Sequence, residues 1–137
     1  MTLAPLREER AGKLRRTVTS SWESGETTKR FILSTLRLTA FSVRLSVLKS
    51  RRPPFVRLSL REGIDEEAEE EEGAELKSSG TQYSDLSLGE PCAIEEFDLV
   101  GGEEYILYVE RLGDEDDEDV EFLLDFLADG ELEPIEI

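Results

Sequence analysis

From Phe31 onward the apolar residues recur at every second position, the period of strands that bury one face, and helical spacing fits poorly. The clearest run sets Phe41, Val43, Leu45 and Val47 on one side and Ser42, Arg44 and Ser46 on the other. After the Pro53-Pro54 breaker the pattern resumes, with Val56, Leu58 and Leu60 inward and Arg57, Ser59 and Arg61 outward. Upstream, Ile32–Thr39 is predicted to be a strand that opposes Leu36 and Leu38 to Arg37. Towards the C-terminus, strands are predicted over Thr81–Leu88, Cys92–Leu99, Glu104–Leu112, Asp119–Ala128 and Leu132–Ile137. Gly89-Glu90-Pro91, Gly101-Gly102, Gly113-Asp114 and Asp129-Gly130 separate them, residues that accept positive φ or hydrogen-bond locally as tight turns require. Tyr105, Leu107 and Val109 share one face, as do Val120, Phe122, Leu124 and Phe126. About eight short strands with little helix predict an all-β fold, an antiparallel two-sheet β-sandwich.

Two segments break the alternation. Residues 1–21 are basic and polar without a period, so a flexible N-terminal arm is expected there, with the sandwich running over 22–137. Arg7, Arg10, Lys13, Arg15 and Arg16 give that arm a likeness to a transit peptide, but Glu8 and Glu9 break the acid-poor pattern and no apolar signal region follows. The second segment is an acidic insertion at 62–73, with eight acidic residues that cannot build a packed core. Self-repulsion favours an extended loop, tethered where it could lie across the outward arginines.

Charge changes the picture more by its distribution than by its total of -17. Met1–Arg61 holds 14 basic and 4 acidic residues, a net +10, whereas Glu62–Ile137 holds 2 basic and 29 acidic, a net -27. Segments of opposite sign attract at a shared interface, and the remaining field steers charged partners. Arg37, Arg44, Arg57 and Arg61 are the candidate binding residues, expected to form one stripe along three consecutive strands. A protein partner is expected, and nucleic acid is disfavoured because the overall field repels phosphate. The apolar runs fall well short of the roughly 20 residues that a transmembrane helix needs.

Candidate chemistry is sparse. The 137 residues include no histidine, which removes the commonest general base and zinc ligand, and Cys92 is the single cysteine. No disulfide can form within the chain, so a reducing compartment and a cytoplasmic location are expected. Cys92 has no histidine to activate it, follows Pro91 and opens a predicted strand, so it reads as a small core residue rather than a nucleophile. No catalytic residue is assigned, and the chain is expected not to be an enzyme. The one candidate metal site is the run Gly113–Asp119, whose six carboxylates are the oxygen ligands that calcium prefers. Asp114, Asp116, Asp117 and Asp119 are its candidate ligands, although the spacing is not that of a helix-loop-helix calcium loop.

Asp98-Leu99-Val100-Gly101-Gly102-Glu103-Glu104-Tyr105, an acidic turn, and then Phe122, Leu124 and Phe126 resemble the end of the calpain-type β-sandwich, domain III of the calpain large subunit. In that family a Leu-Pro-Pro-Gly-Glu-Tyr opening leads into a strand, a polar turn and a Phe-Leu-aromatic closing strand. Gly102, Glu104 and Tyr105 match it with one inserted glutamate. Ser21–Thr27, with its tryptophan, glycine and threonine, is similar to the opening of that domain, which makes Phe31–Leu38 its first strand. The family's Asn-Pro-Gln segment is absent and the acidic run comes later than the family's acidic loop, so the family's electrostatic switch is not carried over. The resemblance implies a non-catalytic regulatory or protein-interaction module that binds calcium or phospholipid weakly through acidic loops. The alternative is a structural subunit of a larger assembly, docking through its basic arm.

Overall fold

The computed structural model describes residues 14–49, 54–63, 75–79, 82–83, 92–112 and 118–137. Among these residues ten strands form in chain order. They are β1 (Leu14–Trp22), β2 (Thr28–Ser34), β3 (Thr39–Lys49), β4 (Phe55–Glu62), β5 (Glu75–Ser78), β6 (Gln82–Tyr83), β7 (Cys92–Leu99), β8 (Glu104–Leu112), β9 (Val120–Ala128) and β10 (Ile135–Glu136). There is no helix among the described residues, and hence none long and apolar enough to cross a membrane.

The alternating stretches pair entirely antiparallel in two sheets, as expected for a sandwich. One sheet runs β1-β9-β3-β7, and the other runs β10-β2-β8-β4-β5, with β6 also on β4. Because β5 and β6 lie along successive parts of β4, they act as one interrupted strand. Counted so, β1 pairs with β9, β2 with β8, β3 with β7 and β4 with β5/β6. The chain is a long hairpin rolled into two four-stranded layers, the double Greek key of a jelly roll, with β10 added at one edge.

The core lies between the layers, where the predicted inward residues meet: Phe41, Val43 and Leu45, then Val56, Leu58 and Leu60, then Tyr105, Leu107 and Val109, and the β9 face from Val120 to Phe126. Trp22 adds its ring against Phe122 at 4.5 Å, and its Nε1–H donates to the Val109 carbonyl at 3.0 Å, tying one sheet to the other.

Several expectations change. Leu14–Ser21 belong to β1, hydrogen-bonded along their whole length to β9, so the sandwich begins well before Trp22, and residues 1–13 of the expected arm lie outside the described residues. Edge strands need few apolar residues, and Val18 and Trp22 suffice here. The strand expected over Ile32–Thr39 instead runs Thr28–Ser34 and gives way to a turn at 35–38, leaving Leu36 93% and Leu38 65% exposed. Gly101 forms the other wall of this turn, and a Cβ there would meet the Arg37 Cα at 2.5 Å. Of the strand expected over Thr81–Leu88, Gln82–Tyr83 form β6 and the remainder lies outside the described residues. Of the acidic insertion, Glu62 ends β4 and 64–73 lie outside them. On β4, Ser59 points outward as expected but is fully buried, packed in the same row as Tyr108 and Ser78.

Candidate interaction site

The four candidate arginines do not share a face. Arg37 is exposed in the β2–β3 turn, and Arg44 faces out from the four-stranded sheet, in register with Asp125 of β9. Arg57 and Arg61 face out from the other sheet, because consecutive strands β3 and β4 lie in different layers. These two are brought together. Glu75 Oε1 lies 2.9 Å from Arg57 Nη2 and 3.6 Å from Arg61 Nη2, and the Arg61 guanidinium sits 5.1 Å above the Tyr108 ring. Arg57 Nε also donates to Ser78 Oγ at 3.3 Å. Arg57 and Arg61 are thus spent within the sheet. The same holds for Arg15, whose guanidinium grips Asp125 in a bidentate pair at 3.0 and 2.8 Å.

Of the candidate calcium ligands, Asp114, Asp116 and Asp117 lie outside the described residues. Asp119 precedes β9, and its Oδ1 accepts the Ser24 N–H at 2.8 Å, holding the β1–β2 turn. Among the described residues no group of three or more His, Cys, Asp or Glu side chains is gathered to hold a metal.

Beside Asp119 sits a buried arginine that the sequence reading passed over. Arg111 donates Nε to the Glu26 carbonyl at 2.7 Å, Nη1 to that of Glu118 at 2.7 Å and Nη2 to that of Glu23 at 2.9 Å, with its guanidinium 5.9 Å from the Trp22 ring. It clasps the β1–β2 turn to the end of the acidic connection that enters β9. The signal was available: Arg111 continues the inward parity of Tyr105, Leu107 and Val109. Nearby, the Glu23 N–H held by the Glu26 carboxylate keeps that carboxyl below its ordinary range, and Lys29 adds to the effect. Burial works to lower the Lys29 ammonium, but its contacts with Glu26 and Glu136 outweigh this and raise it.

Cys92 is buried with its sulfur 3.3 Å from Ser79 Oγ. Burial pushes its thiol up, more than its hydrogen bonds with Ser79 and the Leu58 backbone pull it down. A thiol held protonated in the core is a packing residue.

At the flank where edge strands β5 and β7 leave the sandwich open lies a cleft of about 560 Å³, lined by Glu62, Gly63, Leu76, Phe97, Asp98, Val100, Glu103, Glu104 and Tyr105. A β-bulge makes it. Cys92 and Ile94 face the core, the register against β3 slips between Phe41 and Val43, and Glu96 takes φ 55° with its N–H held by Ser42 Oγ at 3.0 Å. The extra residue changes the parity, so that Phe97 and Leu99 turn inward in place of Glu96 and Asp98. Phe97 meets Tyr105 edge-on, ring centres 6.5 Å apart, and Tyr105 Oη accepts the Val100 N–H at 2.8 Å. Gly63 N–H donates to the Glu104 carbonyl at 2.9 Å; a Cβ on Gly63 would approach that oxygen to 2.7 Å, so only glycine closes the floor. Glu62, Asp98, Glu103 and Glu104 make no side-chain hydrogen bond or ion pair with the described residues.

No protein-family model matches this chain, and no curated protein is similar to it. Among solved structures, it is similar to the Yersinia pseudotuberculosis-derived mitogen YPM, at 14% identity and a TM-score of 0.52, over 82% of this chain and 84% of that one. It also aligns with the acidic stable capsid of Helicobacter pylori bacteriophage KHP30, at 11% identity and a TM-score of 0.44, over 91% of this chain and 96% of that one. At such identity the first likeness speaks to the sandwich fold alone, and the second carries no weight.

Proposed function

We propose that this chain is a non-catalytic protein-interaction module whose partner is a cationic polypeptide. One observation carries the reading. Basic strands β1, β2, β3 and β4 come from the first half of the chain, and among the described residues each is hydrogen-bonded only to strands of the acidic half. Arg15, Arg16, Arg57 and Arg61 of the first half pair with Asp125, Glu133 and Glu75, and the acidic half carries far more carboxylates than these pairs use. A surface of that sign attracts a basic partner and speeds its encounter. The resemblance to the calpain sandwich supports the same class of role, and calcium or phospholipid at the acidic loops belongs to the same proposal.

The test is calorimetric titration of the purified protein with polylysine and, separately, with polyglutamate, at low and physiological salt. The expected result is saturable polylysine binding that weakens steeply with salt, and none with polyglutamate. Polyglutamate binding without polylysine binding would show that the arginines are the docking surface and overturn the reading. Calcium, titrated in the same experiment, is expected to raise the melting temperature saturably only if the Asp119 end of the acidic connection is intact.

A further inference from the structure

We infer that the cleft between β5 and β7 is the docking site for a short cationic segment that carries an aliphatic residue beside its arginine or lysine. The inference rests on the cationic-partner reading above and names where that partner binds.

The cleft has two parts that ask for different chemistry. Its walls are Phe97, Tyr105 and Leu76, and Phe97 and Leu76 are the half-buried margin of the core at this flank. Its rim carries Glu62, Asp98, Glu103 and Glu104, and among the described residues no basic one lines it. A rim of carboxylates with no ion-pair partner among the described residues, above aromatic walls, suits a guanidinium or ammonium on an aliphatic stem, because the stem packs on the rings while the head meets the carboxylates. A free carboxylate or phosphate would be repelled by the same rim.

The adjoining turns supply an apolar element. Val100, 51% exposed, forms part of the cleft, and the following Gly102 donates its N–H to the Thr35 carbonyl at 2.9 Å. Gly101 packs on the Arg37 backbone. These contacts hold Leu36 and Leu38 on the turn beside the cleft, the two most exposed large apolar side chains among the described residues. An aliphatic residue next to the bound cation would cover them, which explains why leucines stand in water on a turn where the fold does not use them.

The experiment measures binding of a fluorescein-labelled peptide of alternating arginine and leucine by polarisation, with an arginine–serine peptide of equal charge for comparison. Binding of the first peptide is expected to weaken about tenfold in Asp98→Asn/Glu103→Gln and in Leu36→Ser/Leu38→Ser. Both pairs are exposed, so the fold is kept. The charge-matched control Glu23→Gln/Glu121→Gln, exposed on the β1–β2 turn and on β9, is expected to stay within about twofold. Equal weakening in the control and cleft variants would overturn the cleft while leaving the cationic-partner reading intact. Equal affinity for the arginine–serine peptide would overturn the apolar element. Failure of both peptides to bind at low salt, together with failure of polylysine, would overturn both readings.

Discussion

The two halves of this chain contribute to the same two sheets in opposite ways. The basic half supplies four strands, several of whose charged residues look sideways to a neighbour of the other half: Arg15 to Asp125, Arg57 and Arg61 to Glu75, Lys29 to Glu136. The acidic half supplies the intervening strands, but it has far more carboxylates than the basic half can neutralise, and Glu62, Asp98, Glu103 and Glu104 collect at one flank without partners among the described residues. Charge that alternates strand by strand favours correct pairing, since sliding two basic strands together places like charges side by side. Charge left over after pairing is available to something else. Location in the fold, more than sign, therefore separates structural from interacting charges here.

The sharpest way to break that comparison is its one inversion, Arg111, a basic residue of the acidic half that is buried. Arg111→Met leaves the carbonyls of Glu23, Glu26 and Glu118 without their donor and is expected to cost about 3 to 4 kcal/mol, read as a lowered urea midpoint. A loss as small as that of a surface substitution would show that the clasp is not holding the turns. Next in size is the strand-to-strand pairing itself. Arg57→Glu sets an acid in register with Glu110 and beside Glu75, and should cost about 1 kcal/mol, with Glu75→Arg in the same chain recovering much of it. Absence of recovery would mean that the alternation of charge does not guide pairing. The smallest effect tests the local pairs. The folded-state pKa of Glu26 lies below its ordinary 4.5, so its contribution is present above that value and lost as the pH falls through the folded-state value. Melting curves of Glu26→Gln and the unaltered protein should differ slightly near neutral pH and converge in acid.

Much of the sandwich was legible because a half-buried strand writes its faces into adjacent residues. Cys92–Leu99 and Glu104–Leu112 form over the limits that turn chemistry and alternation indicate, and the buried faces of β3, β4, β8 and β9 are the predicted ones. Alternation misleads where a strand lies at an edge or a turn interrupts it. Leu14–Ser21 are polar because β1 is an edge strand, held by its ladder to β9 more than by apolar side chains. Leu36 and Leu38 alternate like core residues, yet a turn presents them to water.

The candidate site was less legible than the fold, for a related reason. Alternation and charge by themselves determined that this protein is built of amphipathic strands, that its halves are of opposite sign, and that it carries no histidine-based chemistry. Only the tertiary structure decided which strands adjoin, since that depends on pairing between segments far apart in the chain. That pairing split the arginines between two sheets and buried Arg111. It also set a bulge at Glu96, and the one-residue change of parity turned Phe97 toward Tyr105 and opened an acidic cleft from residues that lie on four different strands and the turn between two of them.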